Sequence, residues 1–439
     1  MSEQNIVMTV AAGGKLSGQI RVPGDKSISH RAVMLGSLAE GVTEIHGFLE
    51  GEDPVATLQA FRAMGVRIEG PDKGHVVVHG VGLRGLNRPP RPLYLGNSGT
   101  SMRLLAGLLA AQPFDSTLTG DDSLSGRPMR RVTEPLAAMG AHIETSPSGT
   151  PPLKIRGRQG LQGISYQMPV ASAQLKSALL LAGLYAEGTT CVVEPGPSRD
   201  HTERMLQGFG YTVQREEDRV CLQGGGTLEA MHIEVPGDIS SAAFFMVGAA
   251  ISEGSEILLQ NVGVNPTRTG VIEILRQMGA DITLENERSA GAEPVADIRV
   301  RGARLRGTAI QPHQVPLAID EFPALFVAAA CAEGETVLSG AGELRVKESD
   351  RIQVMADGLL ELGIDVRPTE DGIVIQGGEP SGGTVDSHGD HRVAMAFAMA
   401  GLCAASPIVV RDCANVRTSF PGFVEHAWRL GMNIKETAW

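Results

Sequence analysis

Six times along the chain a short polar turn runs into a long stretch of small and apolar residues. The stretches are GDKSISHRAVMLGSLAEG from Gly24, GNSGTSMRLLAGLLAAQ from Gly96 and ASAQLKSALLLAGLYAEG from Ala171. GDISSAAFFMVGAAISEG from Gly237, IDEFPALFVAAACAEG from Ile319 and GDHRVAMAFAMAGLCAA from Gly389 complete the set. A helix apolar on nearly every face has no solvent side, so each predicts a helix inside a domain. A second segment follows each one, as in PVATLQAFRAMG, with a single apolar stripe and a place nearer the surface. The second segments close on MGVRI, MGAHI, FGYTV, MGADI, LGIDV and GMNI, whose glycines (Gly65, Gly140, Gly210, Gly279, Gly363, Gly431) recur every 68 to 84 residues. Glycine there predicts a helix end, and the alternating residues beyond it predict a half-buried strand. The chain reads as six α/β repeats, three on each side of Val235.

A chain of 439 residues exceeds what one core fills, which agrees with two domains. The net charge of −12 works against nucleic acid or an anionic membrane as partner, so an anionic ligand needs a local cluster of cations. Runs such as MRLLAGLLAA are about half the length of a membrane span, and MSEQNIVMTVAAGGKL lacks a signal-peptide pattern. A cytoplasmic protein is the expectation. Cys191, Cys221, Cys331, Cys403 and Cys413 are odd in number and show no CxxC spacing, so reduced thiols in the core are expected.

The polar residues collect where the predicted inner helices start, and helix N-termini suit phosphate and carboxylate. The first start holds Lys26, Ser27 and Arg31; the second holds Asn97, Gly99, Thr100 and Arg103, with Arg127 in the turn after it. The third holds Ser172, Ala173, Gln174 and Lys176, with Arg199 opening the next helix. The fourth, GDISSAAFF, is nearly bare although it repeats the VPGD turn of the first. The fifth offers Asp320 and Glu321, then Lys347, Glu348 and Arg351; the sixth offers His391 and Arg392. Ser27 and Ser172 are N-cap candidates. His388 and His391 have chelating spacing but no third ligand in reach, so no metal is expected.

Six of these stretches carry a resemblance: PGDKSISHR at 23–31, LGNSGTSMR at 95–103, RPM at 127–129, ASAQLKSALLLAGL at 171–184, RVKESDRI at 345–352 and GDHRVAMA at 389–396. In that order they closely resemble the 5-enolpyruvylshikimate-3-phosphate synthase family, over essentially the whole chain. The resemblance implies an α/β enolpyruvyl transferase fold of two domains, six βαβαββ units with helices buried and sheets outside. Its domains would be 23–235 and 1–22 plus 236–439, with the active site in the cleft between them. It implies enolpyruvyl transfer from phosphoenolpyruvate to the 5-hydroxyl of shikimate 3-phosphate, without a cofactor, by a monomer.

Carried over by motif, Asp320, Glu348 and Lys26 would be catalytic. Shikimate 3-phosphate would meet Lys26, Ser27, Arg31, Ser172, Ala173, Gln174, Arg199, Asp320 and Lys347. Phosphoenolpyruvate would meet Lys26, Asn97, Gly99, Arg127, Gln174, Arg351 and Arg392. The family also binds glyphosate in place of phosphoenolpyruvate, and tolerant relatives carry alanine at the place of Gly99. Two positions depart from the pattern: Thr418 stands where many relatives have a lysine, and Leu104 where several have proline. The related UDP-N-acetylglucosamine enolpyruvyl transferase typically bears a reactive cysteine in a mobile loop, and residues 112–127 here contain none. A scaffold built on the same repeats is the alternative from another class; it has no use for Asp320 and Glu348 among the cations.

Overall fold

The computed structural model describes residues 6–157 and 160–438, so the first five residues of the N-terminal reading lie outside it. The chain forms two compact units. Gly24–Val235 and the short piece Ser289–Glu293 make the N-terminal unit; everything else described makes the C-terminal unit. The short piece is the tip of a hairpin formed by strands Asp281–Ala290 and Glu293–Arg301, an exchange of chain for which the sequence carries no signal.

Each unit holds three inner helices: Lys26–Leu38, Gly99–Ala110 and Ala173–Gly183 in one; Ile239–Ile251, Phe322–Ala330 and His391–Ala400 in the other. They are buried almost throughout, as residues without a polar face must be. Each unit closes its own apolar core around them. Five of the six sheets hold one parallel strand pair beside antiparallel neighbours, and the sixth, Glu335–Leu338 with Ile373–Gln376 and Asp365–Pro368, is antiparallel throughout. Where an inner helix joins the two strands directly, as between Leu93–Tyr94 and Ser116–Thr119, Ser165–Gln167 and Thr189–Val193, and Gly383–Asp386 and Ile408–Arg411, the helix supplies the crossover that parallel strands need. In the N-terminal unit the last strand, His232–Glu234, returns to pair with Glu40–His46 of the first repeat. The N-terminal strand Ile6–Val10 lies between Ile408–Arg411 and Ile434–Ala438, and Ser17–Ile20 pairs with Glu256–Gly263.

All six repeat glycines after the amphipathic helices have positive φ, between 79° and 97°. An L side chain there would meet its own backbone, which is why each repeat writes glycine at the same point.

One expectation is overturned. Cys191 is bonded to Cys221 and Cys331 to Cys403, leaving Cys413 as the free thiol among the described residues. Cys191 and Cys221 face each other across an antiparallel pair, 30 residues apart in sequence, a partnership that only strand register creates. No described helix is long and apolar enough to cross a membrane.

Candidate active site

Five of the six helix starts are built alike. Asp25, Ser98, Ser172, Asp238 and Asp390 are N-caps, each accepting a hydrogen bond from a backbone N–H two or three residues on, while Glu321 at the fifth start makes no such bond. The cap of the first helix is therefore Asp25, not Ser27, while Ser172 takes the role expected of it. The repeated VPGD thus has an architectural purpose: in both copies its aspartate caps a helix.

In the N-terminal unit Lys26 Nζ lies 3.0 Å from Asp53 Oδ2. Arg31 is buried, donating from Nε to Thr202 Oγ1 at 2.6 Å, from NH2 to Ser177 Oγ at 2.8 Å and from NH1 to Ser27 O at 2.9 Å. Burial pulls its pKa down to about 10 against the opposing pull of Glu203, so it keeps its charge. The Arg31 head thereby ties the start of the first helix to the third helix and to the helix His201–Gly208. His30 is fully buried, and burial, with Lys26 and Arg31 adding to it, holds the ring well below its usual pKa. It is neutral and hydrogen-bonds Thr57, which joins Ser101 and through it Ser98 at the second helix start.

Around that second start Arg127 donates to Asn97 Oδ1, and Asn97 Nδ2 donates to Asp121 at 2.8 Å. Arg103 donates to Gln174 Oε1, and Gln174 Nε2 donates to Thr100 Oγ1 at 3.0 Å. Gly99 sits among these cations. A methyl on it would lie 3.1 Å from the NH1 atoms of both Arg103 and Arg127. Arg199 adjoins Arg31 closely enough for their charges to act on each other. Lys176 does not join the group. It is fully buried, held by Glu194 at 2.9 Å and Glu203 at 2.7 Å.

In the C-terminal unit the cations gather around carboxylates. Arg351, only 1% exposed, reaches Asp390 at 2.8 Å, Glu348 at 2.6 Å and Asp320 at 3.4 Å. Lys347 also lies 3.4 Å from Asp320. Burial pushes the Asp390 carboxyl up, but Arg351, with His391 adding to it, holds the acid below its usual range. Arg392 donates to the backbone oxygen of Asp320 at 3.2 Å, fixing the turn that carries this aspartate.

Glu321 parts from its neighbour: its side chain accepts from Ser240 and lies 3.8 Å from Arg268. The fourth helix start, bare by sequence, is thus occupied by Arg268, which also reaches Asp238 at 3.1 Å. Thr418 is buried, with its hydroxyl donating to Asn415 O at 2.7 Å, so it supplies no cation in place of the missing lysine. Leu104 is fully buried core.

Sequence reasoning missed Asp53, Arg268, Asp390, Glu194 and Glu203, the carboxylates and the arginine that hold the marked residues in place. Only the GDHR motif hinted at one of them, Asp390.

Two α/β units built on inner helices, one displaying cations and amides, the other three carboxylates on one arginine, define an enzyme for anionic substrates. The chain matches EPSP synthase (3-phosphoshikimate 1-carboxyvinyltransferase) over residues 10–427, and it belongs to that family. It is 68% identical over 435 residues to the 3-phosphoshikimate 1-carboxyvinyltransferase of Nitrosococcus oceani, covering 99% of this chain and 98% of that protein. Against the protein of the same name from Methylococcus capsulatus it is again 68% identical, covering 99% and 100%. A solved EPSP synthase from Acinetobacter baumannii superposes with a TM-score of 0.89 at 60% identity, covering 98% of this chain and all of that one.

Proposed function

We propose that this chain transfers the enolpyruvyl group of phosphoenolpyruvate to the 5-hydroxyl of shikimate 3-phosphate, releasing phosphate, on the way to chorismate and the aromatic amino acids. The observation that carries the mechanism is the pair of carboxylates, Asp320 and Glu348, held on one buried guanidinium beside Lys347. Asp320 takes the proton of the 5-hydroxyl as its oxygen attacks C2 of phosphoenolpyruvate. Glu348, relaying with Lys26, gives a proton to the methylene carbon, which becomes a methyl. The tetrahedral ketal phosphate then loses a proton from that methyl as the C–O bond to phosphate breaks, restoring the double bond.

Lys26, Ser27, Arg31, Ser172, Ala173, Gln174, Arg199 and Lys347 are assigned to shikimate 3-phosphate. Lys26, Asn97, Gly99, Arg127, Gln174, Arg351 and Arg392 are assigned to phosphoenolpyruvate, whose carboxylate and phosphate both suit an arginine fork. Arg351 has a second task, since the two catalytic carboxylates are among its existing partners, beside Asp390. Both substrates are phosphate monoesters, retained inside the cell by their charge, and the reading places the enzyme in the cytoplasm. The same reading takes the enzyme as a monomer.

Phosphate release from phosphoenolpyruvate tests the assignment. Release with shikimate 3-phosphate as acceptor, and none with UDP-N-acetylglucosamine, is expected; the reverse overturns it.

Gly99 gives a sharper test. Its backbone strains no L residue, so alanine acts through space alone, pressing its methyl 3.1 Å from Arg103 and Arg127. Overpacking costs about 1–3 kcal/mol where neighbours cannot yield. Gly99→Ala is expected to raise the inhibition constant for glyphosate, the longer molecule, much more than the KM for phosphoenolpyruvate. Equal increases in both would defeat the steric argument.

A further inference from the structure

The outer face of the first sheet in the N-terminal unit carries a second constellation. Strand register assembles it from three chain segments. The parallel pairing of His232–Glu234 with Glu40–His46 sets His232 opposite Glu44 and Glu234 opposite His46. The antiparallel register that pairs Ile45 with Val76 carries His46 to the position facing His75. The three imidazoles therefore stand together around one carboxylate. His75 Nε2 lies 2.9 Å and His46 Nε2 3.3 Å from Glu44 Oε1, and His232 Nδ1 lies 4.0 Å from Glu44 Oε2. The rings of His46 and His75 stack at 4.6 Å, and those of His46 and His232 lie 5.0 Å apart.

We propose that His46, His75, His232 and Glu44 form a surface site for a divalent transition-metal ion of the zinc class, with Glu234 positioning His232. Three imidazole nitrogens and a carboxylate oxygen make a four-ligand set that suits zinc, and imidazole is a ligand of choice for copper and nickel too. Within each of the triads Glu44–His46–His75 and His46–His232–Glu234 the ligand atoms all lie within 4.8 Å of one another, so modest side-chain rotation brings them onto one ion. Glu234 accepts from His232 Nε2 at 3.0 Å, which leaves Nδ1 turned toward Glu44 with its lone pair. That is the carboxylate–histidine support by which second partners fix a ligand's tautomer and orientation. The ligands are about half exposed, between 40% and 54%, so an ion reaches them without unfolding. Four protein ligands fill a tetrahedral ion, and such a site clamps structure and activates no water. Here it would pin together the strands Glu40–His46, His75–Val81 and His232–Glu234.

The test uses the untagged full chain, stripped with EDTA and titrated with zinc chloride by calorimetry, beside His46→Gln and His232→Gln. One ion per chain with micromolar affinity is expected, together with a higher Tm in zinc than in EDTA. Each variant should weaken binding by about tenfold or more. Far-ultraviolet circular dichroism establishes that the variants are folded; their side chains are half exposed and outside either core. Absence of binding, or an affinity unchanged in either folded variant, overturns the site.

Discussion

Asp320→Asn is expected to lower turnover by about 10²–10⁴-fold, the usual worth of a positioned general base. Asparagine keeps the shape of the side chain and its place on the turn that Arg392 fixes through the Asp320 backbone oxygen. What it loses is the ability to take the proton of the attacking hydroxyl. Lys347 and Arg351 each lie 3.4 Å from Asp320 Oδ1, and the two cations hold the carboxylate in place for that task. The other substrate contacts are untouched, so shikimate 3-phosphate should still bind within about tenfold of wild type, which separates the loss from a collapse of the site. Single-turnover rates and equilibrium binding of shikimate 3-phosphate measure the two quantities. Near-normal turnover would remove Asp320 from the role, and a matching loss of binding would recast it as a binding residue.

Lys176→Met is expected to destabilise the N-terminal unit by about 3–5 kcal/mol, the cost typical of breaking a buried ion pair from one side. Lys176 is completely buried, and Glu194 and Glu203 close on it at 2.9 and 2.7 Å. Methionine fills the space but leaves the buried Glu194 and Glu203 carboxylates without the ammonium that pairs with both. Removing one of those charges as well should recover part of the loss, so Lys176→Met with Glu203→Gln is expected to be more stable than Lys176→Met alone. Urea unfolding of wild type, single and double variants gives the comparison through the transition midpoints. A single variant as stable as wild type would show that the triad contributes no net stability, and additive losses would show that its members are not coupled.

Much of this protein is legible in one dimension, for identifiable reasons. An inner helix apolar on every face has only one place to go, and six of them at a near-regular spacing imply six repeats around buried helices. A glycine needed for positive φ must be written as glycine, so the helix ends at Gly65, Gly140, Gly210, Gly279, Gly363 and Gly431 are visible in the letters. Cations at helix starts in an acidic chain point to an anionic ligand before any fold is known.

Other features are decided only by the tertiary structure, because they depend on which segments meet. Lys176 and Arg199 look alike in sequence, yet packing buries the first between two glutamates and leaves the second beside Arg31. Adjacent acids Asp320 and Glu321 point to different partners, one to Arg351 and Lys347, the other to Ser240 and Arg268. Cysteines 30 and 72 residues apart are joined by register and by packing of helix ends, information that spacing does not hold. The histidines of TEIH, HVVVH and HIE show only a period-two alternation along the chain. They become one cluster when parallel and antiparallel registers align three strands side by side. Local sequence determines what each segment can be, since backbone geometry and solvent exposure act over a few residues. Which charge meets which is settled by long-range packing and pairing, and in the sheets a register shift of one residue would turn every side chain of the shifted strand to the opposite face.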